Sequence, residues 1–252
     1  MSVPLSSIRK RLILLTLLAS FCGSCGYPDK NSRPELYLAA ASDLVRTLPE
    51  LCQDFHRQTG TVCRISFGSS GILAQQIQHG APFAVFLSAD RQYVQQLAGA
   101  GKVTGQRRVY ARGQLAIWSR DLPVTTLNDL ATPQVTRIAM ANPTHAPYGR
   151  AARQALERAG LWTKVQPKVV LAETIRHSME MAESGNVEVA FTAASLLADR
   201  GHSFLVPAVL YDRLDQEAAV VQSGPDAERF LDYLGSEPAK QILTKFGFLL
   251  PK

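Results

Sequence analysis

The residues of this chain best placed to do chemistry are small neutral donors. Ser42, the pair Ser69 and Ser70 between Gly68 and Gly71, the triplet Pro147-Tyr148-Gly149, and Thr174-Ile175 each stand where an apolar, strand-like run gives way to a helical pattern. A helix start leaves backbone N–H groups without partners and carries roughly half a positive elementary charge. Serine hydroxyls add further donors. Several such starts brought together make an anion site that needs no Lys or Arg. Gly68 and Gly71 would let the backbone approach a ligand closely. Ordinary capping also puts Ser, Thr and Gly before helices, so each turn taken singly fits a purely structural role.

Other chemistries find less support. No two histidines have the i, i+4 spacing of a helical metal pair, and Cys52 and Cys63 lack partner ligands. Ser70 sits on a strand-to-helix turn as a nucleophile would. The elbow motif needs Gly-x-Ser-x-Gly, however, and residues 68–72 read Gly-Ser-Ser-Gly-Ile. None of His56, His79, His145, His177 and His202 follows an acid-bearing loop in the usual order. A secreted serine hydrolase is the different-class alternative, and turnover of an activated ester would test it. The expectation is a protein that is not an enzyme and carries no cofactor.

The elements that must position these donors alternate. Strands are expected at 36–41, 62–67 and 83–87, separated by helices over 43–58 and 72–78, with a further helix at 91–98. An extended run over 109–118 carries Gly113. The pattern then restarts with strands at 137–141, 168–171 and 187–191 between helices at 149–159 and 175–183. A short helix or turn at 194–199, extended runs at 204–211 and 218–222, and helices near 225–235 and 238–246 close the chain. Strands separated by helices predict an α/β fold with mixed, mostly parallel sheets flanked by helices, and the restart suggests two lobes. In such sheets ligands bind beyond the carboxyl ends of the strands, where the donor-bearing turns gather. Ser42 is expected to cap its helix. Asp43 beside it is expected to face solvent in the first turn, where it favours the dipole.

The chain's beginning is an address. Arg9-Lys10-Arg11 precedes the apolar residues 12–21, LILLTLLASF, as in a secretory signal; this run is shorter than the roughly 20 residues needed to span a bilayer. Cys22-Gly23-Ser24-Cys25 resembles a bacterial lipoprotein box with Cys25 as the lipidated residue, although Cys22 stands where Leu is usual. Residues 26–34 read as a flexible tether. Export places Cys52 and Cys63 in an oxidising compartment; a disulfide between them and two buried thiols are both open. The net charge of +6 falls to +3 once the three basic residues of the signal are removed, and no Lys/Arg run remains to support nucleic-acid binding.

Read together, the donor turns resemble the periplasmic molybdate-binding proteins of ABC transporters. The resemblance runs through residues 39–44 (AAASDL), 67–77 (FGSSGILAQQI), 80–90 (GAPFAVFLSAD), 141–143 with 146–149 (ANP, APYG) and 245–248 (KFGF). These blocks span nearly all of 35–249 in the family's order. The resemblance implies a two-lobed, type II periplasmic binding protein fold with a tetrahedral oxyanion, molybdate or tungstate, in the cleft between lobes. Residues 35–112 plus 206–252 would form lobe I and 113–205 lobe II, after a signal at 1–25 and the tether. Ser42 and Ser70 would donate hydroxyl and backbone N–H, and Tyr148 and Ile175 backbone N–H, with Ser69 and Phe191 as further cleft-lining candidates. Some members use a Tyr hydroxyl where this chain has Phe191, and the Tyr148 hydroxyl is a candidate replacement; core packing is the other reading of Phe191. His145 could line the cleft, although a surface loop fits it better. The implied partners are a membrane permease and ATPase, with the chain a monomer in the periplasm, held to the membrane by a lipid if Cys25 is modified. The same fold with sulfate, phosphate or a carboxylate is the alternative.

Overall fold

The computed structural model describes residues 35–197 and 201–251. The expected signal, the tether and Cys25 lie outside the described residues. Two five-stranded mixed sheets, each flanked by helices, carry the fold.

The first lobe begins with β1 (Glu35–Ala41), α1 (Leu48–Thr59), β2 (Val62–Gly68), α2 (Ser70–Gln78), β3 (Val85–Ser88), α3 (Arg91–Gly99) and β4 (Arg107–Gly113). The chain then crosses over. The second lobe contains β5 (Leu115–Ser119), β6 (Ile138–Ala141), α4 (Pro147–Arg158), the single turn α5 (Trp162–Val165), β7 (Val169–Ala172), α6 (Ile175–Glu183), β8 (Val189–Ala193) and β9 (His202–Leu205). It returns as β10 (Leu214–Val220) and ends in α7 (Pro225–Leu234) and α8 (Glu237–Lys245).

Strand order is β2-β1-β3-β10-β4 in one sheet and β7-β6-β8-β5-β9 in the other. In each, four strands run the same way and one, β10 in the first sheet and β5 in the second, runs against them. Strands β3, β5, β6 and β8 are buried along their whole length. Burial on both faces is why they read as unbroken apolar runs rather than alternating ones.

Three local departures from the sequence reading have identifiable causes. The helix expected over 43–58 is a 3-10 turn, Ser42–Leu44, followed by a separate α1. Pro49 lies in the first turn of α1, where its missing N–H is harmless, and a continuous helix through it would lose a hydrogen bond. The run over 109–118 divides at Gly113 and Gln114 into β4 and β5, which lie in different sheets. The run over 204–211 stops at Leu205, and after Pro207 the chain turns through a 3-10 segment, Ala208–Leu210.

Cys52 and Cys63 are free thiols in contact across α1 and β2, with Cys52 in the core and Cys63 packed against it. The Cys63 thiol and burial together push the Cys52 thiol above its ordinary pKa.

Beneath the first sheet, Phe55 of α1 meets Phe230 of α7 edge-on at 5.1 Å between ring centres, and Tyr233 completes the cluster. Phe230 is fully buried among Leu38, Leu48 and Leu231. Truncating it removes an aromatic contact and leaves a cavity that the rigid sheet cannot collapse to fill. Phe230→Ala is expected to lower stability by about 3–5 kcal/mol in urea denaturation, with little change in the denaturant slope.

Candidate functional site

The carboxyl ends of β1, β2 and β3 and the starts of α4 and α6 converge on one small cavity. Its walls are Ala41, Ser42, Asp43, Gly68, Ser69, Ser70 and Ala89 from the first lobe, with Ala146, Pro147, Tyr148 and Ile175 from the second. No Lys or Arg lines it. Ser42, Ser69, Ser70, Tyr148 and Ile175, singled out on the sequence, are thus brought together here.

The local structure presents their donors inward. Ser70 opens α2 after Ser69 at the N-cap, and its Oγ accepts the Ala89 N–H at 3.0 Å, leaving the hydroxyl proton free to point elsewhere. Ser42 does not cap a helix as expected. Ala41 occupies the N-cap, and Ser42 is the first residue of the 3-10 turn, with its Oγ 3.5 Å from the Arg176 N–H of the other lobe. Helices α2 and α4 begin without a side-chain cap, so no capping side chain takes the N–H groups of Ser70 and Tyr148, whereas that of Gly71 is committed to the His145 carbonyl. Pro147 in the first turn of α4 fixes the entry geometry just before Tyr148. In α6 the Thr174 hydroxyl caps the His177 N–H at 3.0 Å, leaving the N–H of Ile175 ahead of it.

Phe191 behaves differently. It is fully buried in the core, in the same cluster as Ile117, Met140 and Tyr148, and is absent from the cavity wall. Nor does the Tyr148 hydroxyl stand in for a missing donor at that position. It donates to Asp43 Oδ2 at 3.0 Å, so its proton is already committed.

The lobes are drawn together around this cavity. The Gly71 N–H donates to the His145 carbonyl at 2.9 Å, and Ser69 Oγ lies 2.8 Å from His145 Nδ1. A Cβ at Gly71 would sit 2.7 Å from that carbonyl, so this glycine serves the approach of the two lobes rather than of a ligand. His145 is therefore an inter-lobe contact and not a free surface loop residue. The Ser69–His145 contact has the composition of a nucleophile and base, but it uses Nδ1, and no carboxylate among the described residues is hydrogen-bonded to Nε2 to orient the ring. At the rim, Arg150 of α4 pairs with Asp90 and donates to Tyr93 Oη at 3.0 Å.

Comparison with known proteins decides the family. Residues 36–249 match the profile of the bacterial extracellular solute-binding proteins. The molybdate-binding protein ModA of Rhodobacter capsulatus is 33% identical over 222 residues, covering 85% of this chain and 88% of that protein. ModA of Escherichia coli is 26% identical over 230 residues, covering 84% and 87%. The solved periplasmic molybdate-binding protein of Azotobacter vinelandii superposes with a TM-score of 0.83 at 32% identity, over 86% of this chain and all of that one. The chain belongs to the bacterial extracellular solute-binding proteins, in the molybdate-binding family.

Within this solute-binding protein, Asp43 is the residue that sequence reasoning misplaced. It is fully buried rather than solvent-facing. Its Oδ2 accepts from Tyr148 Oη and Gln216 Nε2, while Oδ1 is buried without a partner. Burial pushes its carboxyl up from the ordinary 3.8 to about 6, against the lowering effect of Gln216 and Tyr148. Gln216 was also missed; a shift of register beside it in β10 marks a bulge, which can re-aim a side chain out of the regular ladder. Nothing in the local pattern of AAASDL distinguishes an inward Asp from an outward one.

The sign of the Asp43 effect follows from linkage. A folded-state value raised from 3.8 to about 6 means that the native chain binds this proton more tightly than the unfolded chain. The burial cost is fully present above about pH 6 and is relieved as pH falls toward 4. Asp43→Asn keeps an acceptor for Tyr148 and Gln216 and removes the ionisation. The variant is expected to exceed the native chain in stability at pH 8 by up to about 3 kcal/mol, the gain shrinking toward pH 4. Urea denaturation of both proteins at pH 4.5, 6 and 8 checks this, and a gap that does not vary with pH would refute it.

Proposed function

We propose that this chain captures molybdate or tungstate in the inter-lobe cavity and delivers it to the permease and ATPase of an ABC transporter. The observation that carries the reading is the convergence of neutral donors from both lobes on one small cavity without a Lys or Arg. In this reading Ser42 and Ser70 donate hydroxyl and backbone N–H, and Tyr148 and Ile175 donate backbone N–H. The names of the relatives support the choice of ion.

The physical chemistry is consistent. An oxyanion enclosed away from water needs its oxygens met by a complete shell of hydrogen bonds. Each bond to a charged group contributes about 1.5–3 kcal/mol. Helix starts supply these donors in fixed positions, so little ordering remains to be done on binding. The one carboxyl on the wall, Asp43, is already shifted toward its neutral acid, and a bound anion favours that form further. Molybdate, tungstate and sulfate share charge and shape, so discrimination against sulfate falls to cavity size. The cavity binds and releases its ion without a reaction. The protein works in the periplasm, tethered by a lipid on Cys25, as a monomer that presents its closed form to the transporter.

A thermal-shift titration of the chain lacking residues 1–25 tests this, with molybdate, tungstate, sulfate and phosphate in parallel. Ligand at a hundred times its Kd adds about 2.7 kcal/mol to native stability. Micromolar molybdate and tungstate are expected to raise the midpoint and the other two anions to leave it unmoved. Ser42→Ala with Ser70→Ala is expected to abolish the shift while preserving the ligand-free midpoint within a few degrees. A response to sulfate, phosphate or a carboxylate instead would keep the fold and replace the ligand.

A further inference from the structure

On the wall of the cavity, beside the crossover from β4 to β5, one residue of the first lobe is held by two hydroxyls of the second. Asp43 Oδ2 accepts from Tyr148 Oη at 3.0 Å, and the Asp43 backbone carbonyl accepts from Ser195 Oγ at 2.7 Å. Tyr148 belongs to α4 and Ser195 to the 3-10 turn after β8, both in the second lobe. From the first lobe's own sheet, Gln216 of β10 donates its amide to the same Oδ2. Tyr110 of β4 donates to Gln216 Oε1 at 2.8 Å, which fixes the amide with its NH2 toward Asp43.

The site of these bonds matters as much as their number. Tyr148 Oη rests against Gly113, the last residue of β4 before the chain crosses to the second sheet; a Cβ there would lie 2.1 Å from that oxygen. The hydroxyl is therefore seated on the crossover itself. Asp43, Tyr148, Ser195 and Gln216 are all buried, so their hydrogen bonds are shielded from water. The rim contact of Arg150 with Asp90 is partly open to solvent, where such pairs contribute less. Parting the lobes carries Tyr148 and Ser195 away from Asp43 and leaves polar groups to be rehydrated.

We propose that Asp43, gripped by Tyr148 and Ser195, is a clasp that holds the lobes closed and so sets how long a captured ligand stays. These are positioning residues: the Tyr148 hydroxyl and the Ser195 hydroxyl act through closure and not by touching the ion. The clasp as a determinant of ligand residence rests on the oxyanion reading above, while its closure of the lobes does not.

The test measures association and dissociation rates for molybdate on the exported chain, following displacement by excess tungstate in stopped flow. Tyr148→Phe keeps the ring and the backbone N–H and removes only the hydroxyl; Ser195→Ala is the second, independent variant. Each is expected to raise koff roughly ten- to a hundredfold, the effect of losing one hydrogen bond of this kind, and to leave kon within about threefold. A site that was merely damaged would lose kon as well. Unchanged koff in both variants, or a loss confined to kon, overturns the clasp. If the native chain binds neither ion, the ligand reading fails, and small-angle scattering of the ligand-free proteins decides the clasp. Expansion of Tyr148→Phe relative to the native chain then supports it, and identical curves overturn it.

Discussion

An anion enclosed away from water must exchange its hydration for protein donors, and doing so without a counter-charge requires many donors at fixed positions. Backbone N–H groups at helix starts meet that requirement because the helix itself holds them rigid. No single helix can surround an ion, so several must aim at one point. In this chain they do so from two sheets, each sending its strand ends and helix starts toward the shared cavity. The duplicated plan of four strands in one direction and one against them suits that geometry, since each sheet needs a row of strand-to-helix turns facing the other.

Making the cavity from two lobes ties binding to motion. Among the contacts between lobes, two groups have different surroundings. At the mouth, Ser69 with His145 and Arg150 with Asp90 and Tyr93 are partly solvated. Beside the crossover, Asp43 with Tyr148, Ser195 and Gln216 is dry. Contacts in contact with water exchange their partners at little cost, whereas the buried set resists opening until water reaches it. The mouth thus suits entry and the hinge side suits retention.

Asp43 also shows how a carboxyl is tolerated on the wall of a cavity lined by neutral donors. Burial raises its proton affinity, so the group tends toward the neutral form, and the same burial makes its Oδ2 a strong acceptor when it is ionised. The unpartnered Oδ1 records the cost of that placement.

Much of this was written in local sequence. The helix starts at Ser70 and Ile175 and the apolar runs of β3, β6 and β8 were legible because capping residues and continuous hydrophobicity act over a few neighbours. The resemblance of five separated blocks added which turns belong together. Other features were beyond it. Pro49 was visible, yet the break it imposes ahead of α1 was not read from periodicity, because Leu44 and Leu48 keep their helical spacing across the break. The inward turn of Asp43, the commitment of the Tyr148 hydroxyl and the part of Gln216, 173 residues from Asp43 in sequence, exist only once both lobes are assembled. Local sequence determined where the donors sit along the chain. Tertiary structure alone decided which charges lie next to them, because burial and long-range hydrogen bonding are properties of the packed whole and not of any segment.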